Sequence, residues 1–176
     1  MNSYAGFWIR TKAFALDYFV VLAYMIFLAA IFLLVGQASS FFLQLFATRI
    51  SAQPSGFLLL TLPISLYFAI SESSIRRGTW GKQRMNLAVV NQLGNRISIP
   101  GSFTRTLLKF IPWELSHTLV WEIYFHPDTE SVFINYGFVL VYVLLGLNLA
   151  SLAFSRSHRT LYDFIAGTFV VAGDEF

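Results

Sequence analysis

The sequence predicts an all-α integral membrane protein: a four-helix transmembrane bundle with a small cytoplasmic β-hairpin and an interfacial C-terminal helix. Three observations point there. Of the 176 residues, 56% are hydrophobic and 12% charged, and the mean hydropathy is +0.64, outside the range of an ordinary water-soluble domain. Apolar runs long enough to cross about 30 Å of hydrocarbon, which takes roughly 20 helical residues, recur along the chain. Lys and Arg gather between those runs rather than over a general surface, so the net charge of +3 reflects membrane topology and not a nucleic-acid partner. The length suits one domain over residues 1–176.

The first run, Ala13–Val35, follows Arg10 and Lys12 as the core of a signal peptide would. It is too long for one and no small-residue cleavage site follows closely, so it is expected to stay as an anchor. The second run is Phe57–Ile75. Beyond it, Leu87–Val90 and Ile97–Ile99 flank Asn91–Arg96, in which Gly94-Asn95 suits a positive φ. The spacing predicts a hairpin over about 85–99. Two strands alone are marginal in water, so the hairpin is expected to pack on the helices or to gain a strand from Thr168–Val171. Pro100 and Gly101 end it, and Ser102 is placed to cap a helix whose first turns carry Arg105 and Lys109.

The third run, Leu107–Phe125, is long enough to cross but holds Lys109, Glu114, His117 and Glu122, with a kink expected at Pro112. The fourth, Val132–Phe154, is clearly apolar. The tail over 158–172 is too short to cross. Leu161, Ile165 and Phe169 recur at helical spacing, which lets its first half lie in the interface; Gly167 ends that helix and Thr168–Val171 reads as a strand.

Loop charge sets the orientation. With four crossings, every Lys and Arg except Arg49 falls on one face, while Tyr124–Ser131 on the other holds Asp128 and Glu130. The positive-inside rule makes the basic face cytoplasmic, with both termini there, in the cell membrane. The alternative makes 107–125 re-entrant or interfacial and leaves three spans.

Asp17 is the only charge in its span, and an intramembrane carboxylate is a functional-site candidate. Arg10, seven residues earlier, shares its helix face at a distance of about 10 Å, so the two are not expected to pair directly. Because helical side chains tilt toward the N-terminus, Asp17 is expected to meet a cation from Arg105, Lys109 or Arg159. Glu72 has Arg76 at i+4 and Asp163 has Arg159 at i−4. Arg10, Asp17, Glu72, Arg105, Arg159 and Asp163 thus form a candidate charged cluster at one cytoplasmic level, either a static network or a cation and proton relay.

Glu114 and His117 form a second candidate pair, a polar path within the third run. Glu-x-x-His is half of a di-iron motif whose second copy is missing here, so no metal is expected. Cys is absent, which excludes disulfides and thiolate chemistry. With no nucleophile–base arrangement either, neither enzymatic activity nor a cofactor is expected. Gly146 and Ala150, beside Asn148 and Ser151, suit helix packing or self-association. Gly78-Thr79-Trp80-Gly81-Lys82 lacks the spacing of a phosphate loop and is expected to be a tight turn with Lys82 on lipid phosphate. The partners expected are the bilayer, anionic headgroups at the basic loop, and a second copy or another membrane protein.

Taken in order, Arg10 and Asp17 in Phe7–Asp17, Glu72 with Gly78–Lys82, the segment Leu87–Arg105, and Asp163 in Arg159–Thr168 resemble the RDD family of membrane proteins, named for an arginine and two aspartates. The resemblance spans essentially the whole chain. Tyr162 stands where many members have histidine, and Asn86 where many have glycine. The resemblance implies this membrane architecture; for some members sodium–proton exchange has been proposed, for others assembly or regulatory roles. Two functions follow as expectations: a small cation/proton transporter using its intramembrane carboxylates, or a non-transporting module that binds, assembles or regulates partner membrane proteins.

Overall fold

The computed structural model describes residues 3–36, 40–127 and 132–173; Asp128 and Glu130 lie outside the described residues. The elements run β1 (Ser3–Tyr4), α1 (Phe7–Gly36), α2 (Phe41–Leu45), α3 (Arg49–Gly56), a π turn (Phe57–Thr61), α4 (Leu62–Ser73), α5 (Trp80–Arg84), β2 (Leu87–Asn91), α6 (Ile99–Phe125), α7 (Val132–Phe154), α8 (Leu161–Ile165) and β3 (Thr168–Ala172). Among the described residues, three helical segments are long and apolar enough to cross a membrane: Phe7–Gly36, Arg49–Ser73 and Val132–Phe154.

In α1 only Arg10, Ala13, Asp17 and Val21 are buried, a stripe at helical spacing with the remaining apolar surface turned outward, as a lipid-facing helix requires. The helix starts at Phe7 rather than at the predicted Ala13, so that Arg10 and Asp17 belong to its inner face. The second crossing segment begins at Arg49, earlier than the predicted Phe57. Thr48 and Ser51 form a capping box there, supplying partners for the otherwise orphaned amides of a helix start. Pro63 interrupts that segment. It has no N–H for the carbonyl four residues back, and the Tyr24 hydroxyl of α1 donates to that carbonyl, Leu59 O, at 2.6 Å.

Helix α6, at 27 residues, is about 40 Å long at 1.5 Å per residue. It runs antiparallel to α3–α4 along its whole length: Ser102 Oγ donates to Ala69 O at 2.8 Å near one end, and Arg49 pairs with Glu122 at 2.8 Å near the other. Its N-cap is Ser98, whose hydroxyl accepts from the Gly101 amide at 3.2 Å, and not the predicted Ser102, which is buried against α4.

The predicted hairpin is corrected in its second arm. Ile97–Ile99 is no strand; the return arm meets β2 through an isolated bridge from Val90 to Arg96 and the Asn91 amide on Asn95 O at 2.9 Å, both before Ile97. The Asn91 side chain accepts the amides of Leu93 and Asn95 at 2.9 and 3.0 Å, turning the chain sharply, and the Ser98 cap with Pro100 in the first turn commits the following residues to α6. Ile97 is apolar because it enters a core with Ala5, Ala13, Leu87, Val89 and Val170. The partner of β2 is β3, antiparallel from Leu87 opposite Ala172 to Asn91 opposite Thr168. β1 adds to the other edge of β3, giving the order β1-β3-β2. The tail follows its prediction, with a short helix, Gly167 at φ +64°, then a strand. Asn86, in the position where glycine is common, has φ +50°, a left-handed conformation that Asn tolerates better than most side chains.

Candidate functional site

Asp163 is the hub of a buried ion-pair chain. It occupies the third position of α8, where its carboxylate accepts the Thr160 amide at 3.2 Å in a capping box. That local role aims the carboxylate inward, away from solvent. Oδ2 accepts Arg10 Nη2 at 2.7 Å, and Oδ1 accepts Arg105 through both Nε and Nη2 at 2.8 Å. Thr168 Oγ1 adds a bond at 3.3 Å. Arg105 turns its Nη1 to Glu72 Oε2, and Glu72 Oε1 pairs with Lys82. The chain Arg10–Asp163–Arg105–Glu72–Lys82 thereby joins α1, α8, α6, α4 and α5. Asp163 and Glu72 are wholly buried, a position tolerable for charges only when each lone pair has a donor. Burial alone would raise the Asp163 pKa, but the Arg105 and Arg10 guanidinium groups outweigh it and hold the carboxyl well below its ordinary range. Burial pulls the Lys82 ammonium below its ordinary value, with Glu72 acting against that shift.

Asp17 is held differently. It accepts from Tyr67 Oη at 2.9 Å, Thr79 Oγ1 at 2.5 Å and the Gly81 amide at 2.7 Å, and Tyr67 Oη in turn accepts the Trp80 amide at 3.0 Å. A carboxylate on α1 therefore caps the start of α5, with favourable helix polarity. The approach is close: a Cβ on Gly81 would stand 2.1 Å from Ala13 O and 2.9 Å from the Asp17 carboxyl carbon, so glycine is required there.

Several sequence expectations change accordingly. Among the described residues Asp17 has no cationic partner; hydroxyl and amide donors surround it instead. Arg10, correctly not paired with Asp17, reaches Asp163. Arg76 does not offset Glu72, since α4 ends at Ser73 and Ser74 is extended at ψ 174°, which takes Arg76 off the i+4 position; it bonds Gln83 at 3.4 Å. Lys82 faces Glu72 rather than lipid phosphate, and its segment is a short helix rather than a bare turn. Arg159 touches Asp163 only through the backbone, Nη2 to O at 2.8 Å, its guanidinium lying 4.2 and 4.1 Å from the Phe164 and Phe169 rings. The carboxylate it was expected to meet is already filled.

Glu114 and His117 do not bond each other. Glu114 accepts from Gln53 at 3.2 Å and from Thr61, both on the neighbouring segment, while His117 Nδ1 lies 2.9 Å from Trp113 O, one turn back. The carbonyl only accepts, so Nδ1 carries the proton. Among the described residues no group of three or more His, Asp or Glu is placed to hold a metal ion.

Above the charged layer a cavity of about 610 Å³ lies between α1, α4, α6 and α7. Arg10, Asp17, Lys82, Arg105 and Lys109 line its charged end, and apolar side chains such as Phe14, Val21, Ile64 and Leu145 line the rest. Lys109, one turn beyond Arg105, has its Nζ 3.2 Å from the centroid of Phe68 and 6.0 and 5.9 Å from those of Phe14 and Phe110, cation–π contacts in an apolar setting.

Sequence reasoning missed Lys82, Tyr67, Thr79 and Gly81 as members of the site. The paired glycines around Thr79 were the available signal: they mark a backbone that approaches another element closely.

No curated protein and no solved structure matches the chain. The RDD family model matches residues 4–167, which contain Arg10, Asp17 and Asp163 together with Glu72, Lys82 and Arg105. The chain belongs to the RDD family.

Proposed function

We propose that this protein is a four-span, non-transporting module of the cell membrane, with both termini and the central loop in the cytoplasm, which binds a membrane-borne ligand or partner at a preformed site. The sheet supports the topology. β1, β2 and β3 come from the N-terminus, the loop before α6 and the tail after α7, and one sheet lies on one side of a membrane. An even number of crossings between β2 and β3 keeps the sheet whole, and with α7 as one this supports α6 as the other, its charges covered by the antiparallel α3–α4 segment.

The observation that carries the binding reading is the closure of the charged layer. Both oxygens of Asp163, both of Glu72 and both of Asp17 are occupied by donors from several elements, an arrangement suited to fixing the bundle around the cavity. A carboxylate that exchanges ions must instead shed its donors in every cycle. One observation favours the transporter reading: Asp17 lines the cavity. The two separate in proteoliposomes under a pH gradient. The module predicts sodium and proton flux equal to that of empty vesicles; flux above that level, abolished by Asp17→Asn, establishes transport and overturns the module.

A further inference from the structure

We infer that the cavity between α1, α4, α6 and α7 is a lipid site that takes the acyl chain of an anionic amphiphile from the bilayer and holds its acidic head on Lys109. The inference deepens the binding reading above and rests on it.

Charge is the first ground. Arg10, Lys82, Arg105 and Lys109 gather at one end of the cavity with only Asp17, Glu72 and Asp163 to balance them. Four cations face three carboxylates, so the layer carries an excess of one positive charge, and one of the four has no carboxylate in contact. Among the described residues, Lys109 makes no ion pair and no hydrogen bond; its ammonium rests on the Phe68 ring. A desolvated ammonium without a carboxylate calls for an anion.

Shape is the second. At about 610 Å³ the cavity falls in the range of about 300–1,000 Å³ of small-molecule sites. Its walls beyond Lys109 are almost wholly apolar, which suits a hydrocarbon chain and not a free hydrated anion. Access is the third. Phe14 and Tyr18 of α1 (53% and 51% exposed) and Leu145 and Leu149 of α7 (46% and 58%) all line the cavity. These two helices flank a sideways mouth, and both are long and apolar enough to stand in lipid, so the opening faces the bilayer. A ligand entering there comes tail and head together from a leaflet, and Lys109 lies on the inner side of the charged layer, one turn into the apolar zone.

Trp113 also lines the cavity and reports on occupancy. In the purified full-length protein in detergent, dibromostearate is expected to quench Trp113 fluorescence saturably at one equivalent, at least tenfold more tightly than the brominated alcohol of equal length, with inorganic phosphate unable to displace it. Trp113→Phe removes the saturable phase, Lys109→Met brings acid and alcohol together, and Lys109→Arg keeps the preference. Should Lys109→Met fail to fold, Val141→Phe fills the cavity with Lys109 in place and is expected to abolish the saturable phase. Quenching that rises without saturation and equally for acid and alcohol overturns the site, as does full displacement by phosphate or a preference unchanged by Lys109→Met. Flux in the vesicle assay overturns the module reading without touching this binding result, and absence of both flux and saturable binding sinks the lipid site alone.

Discussion

The Asp17 carboxylate of the first helix accepts the backbone amide of Gly81 at 2.7 Å, joining two residues 64 positions apart through a group that only glycine lets approach. Substitutions at this contact should separate shape from charge. Asp17→Asn keeps one acceptor for the Gly81 amide and Tyr67 and turns its amide to the Thr79 hydroxyl, which can accept; about 1–2 kcal/mol of stability should be lost. Asp17→Leu orphans the buried amide and should cost about 1–3 kcal/mol more. Gly81→Ala forces a Cβ into Ala13 O and should destabilise by at least about 1–3 kcal/mol. Thermal unfolding of the purified variants in detergent ranks the three.

Arg105 bridges Glu72 and Asp163 and has no adequate replacement. Arg105→Met leaves two buried carboxylates short of a cation and should cost about 3–5 kcal/mol. Arg105→Lys should recover little, because a point-like ammonium cannot span both acids as a planar guanidinium does. A cycle combining Arg105→Met with Asp163→Asn should show strong coupling, with the double variant less damaged than the sum of the singles.

Acid should unfold the charged layer through Asp163. Its folded pKa is depressed, so the stability it contributes is full above the unfolded carboxyl value of about 3.9 and is lost as pH falls below that toward the folded value. Tyr162 shifts the other way: burial raises its pKa, so its contribution is full below about 10 and fades above. Equilibrium unfolding against pH should show an acid limb beginning near pH 4, and Asp163→Asn should flatten that limb while lowering stability at neutral pH.

Topology has its own measurement. Reporters inserted in the Gln92–Asn95 turn and after Gly173 should both read cytoplasmic, and one at Pro127 external. A cytoplasmic reading at Pro127 would leave α6 uncrossed and return the chain to three spans.

Three long apolar helices were legible because hydropathy acts locally: Val132–Phe154 was found to the residue, and the tail's helix, Gly167 and strand were all readable from spacing. The partners within the charged layer were not. Which cation reaches Asp163 depends on where a capping box turns its carboxylate, and Arg10 lies 153 positions away. Lys82 was expected on lipid phosphate because nothing local says that α5 folds back on α1 and carries it to Glu72. Ile97–Ile99 looked like a strand because a buried residue at a helix entrance and one in a sheet have the same composition. The early starts of α1 and of the second crossing segment were hidden by polar residues whose partners sit on other elements.

The middle position of β3 in the sheet has a consequence for how the protein is made. Translation reaches this strand after β1 and β2, which pair only through it, and Asp163, a counter-ion of both Arg10 and Arg105, shortly precedes it. Until then a nascent chain carries Arg10 without its carboxylate and Arg105 with Glu72 alone, and the charged layer closes only once Asp163 and β3 have been made. A product ending before Asp163 would leave Arg10 without its counter-ion, a ready mark for membrane quality control.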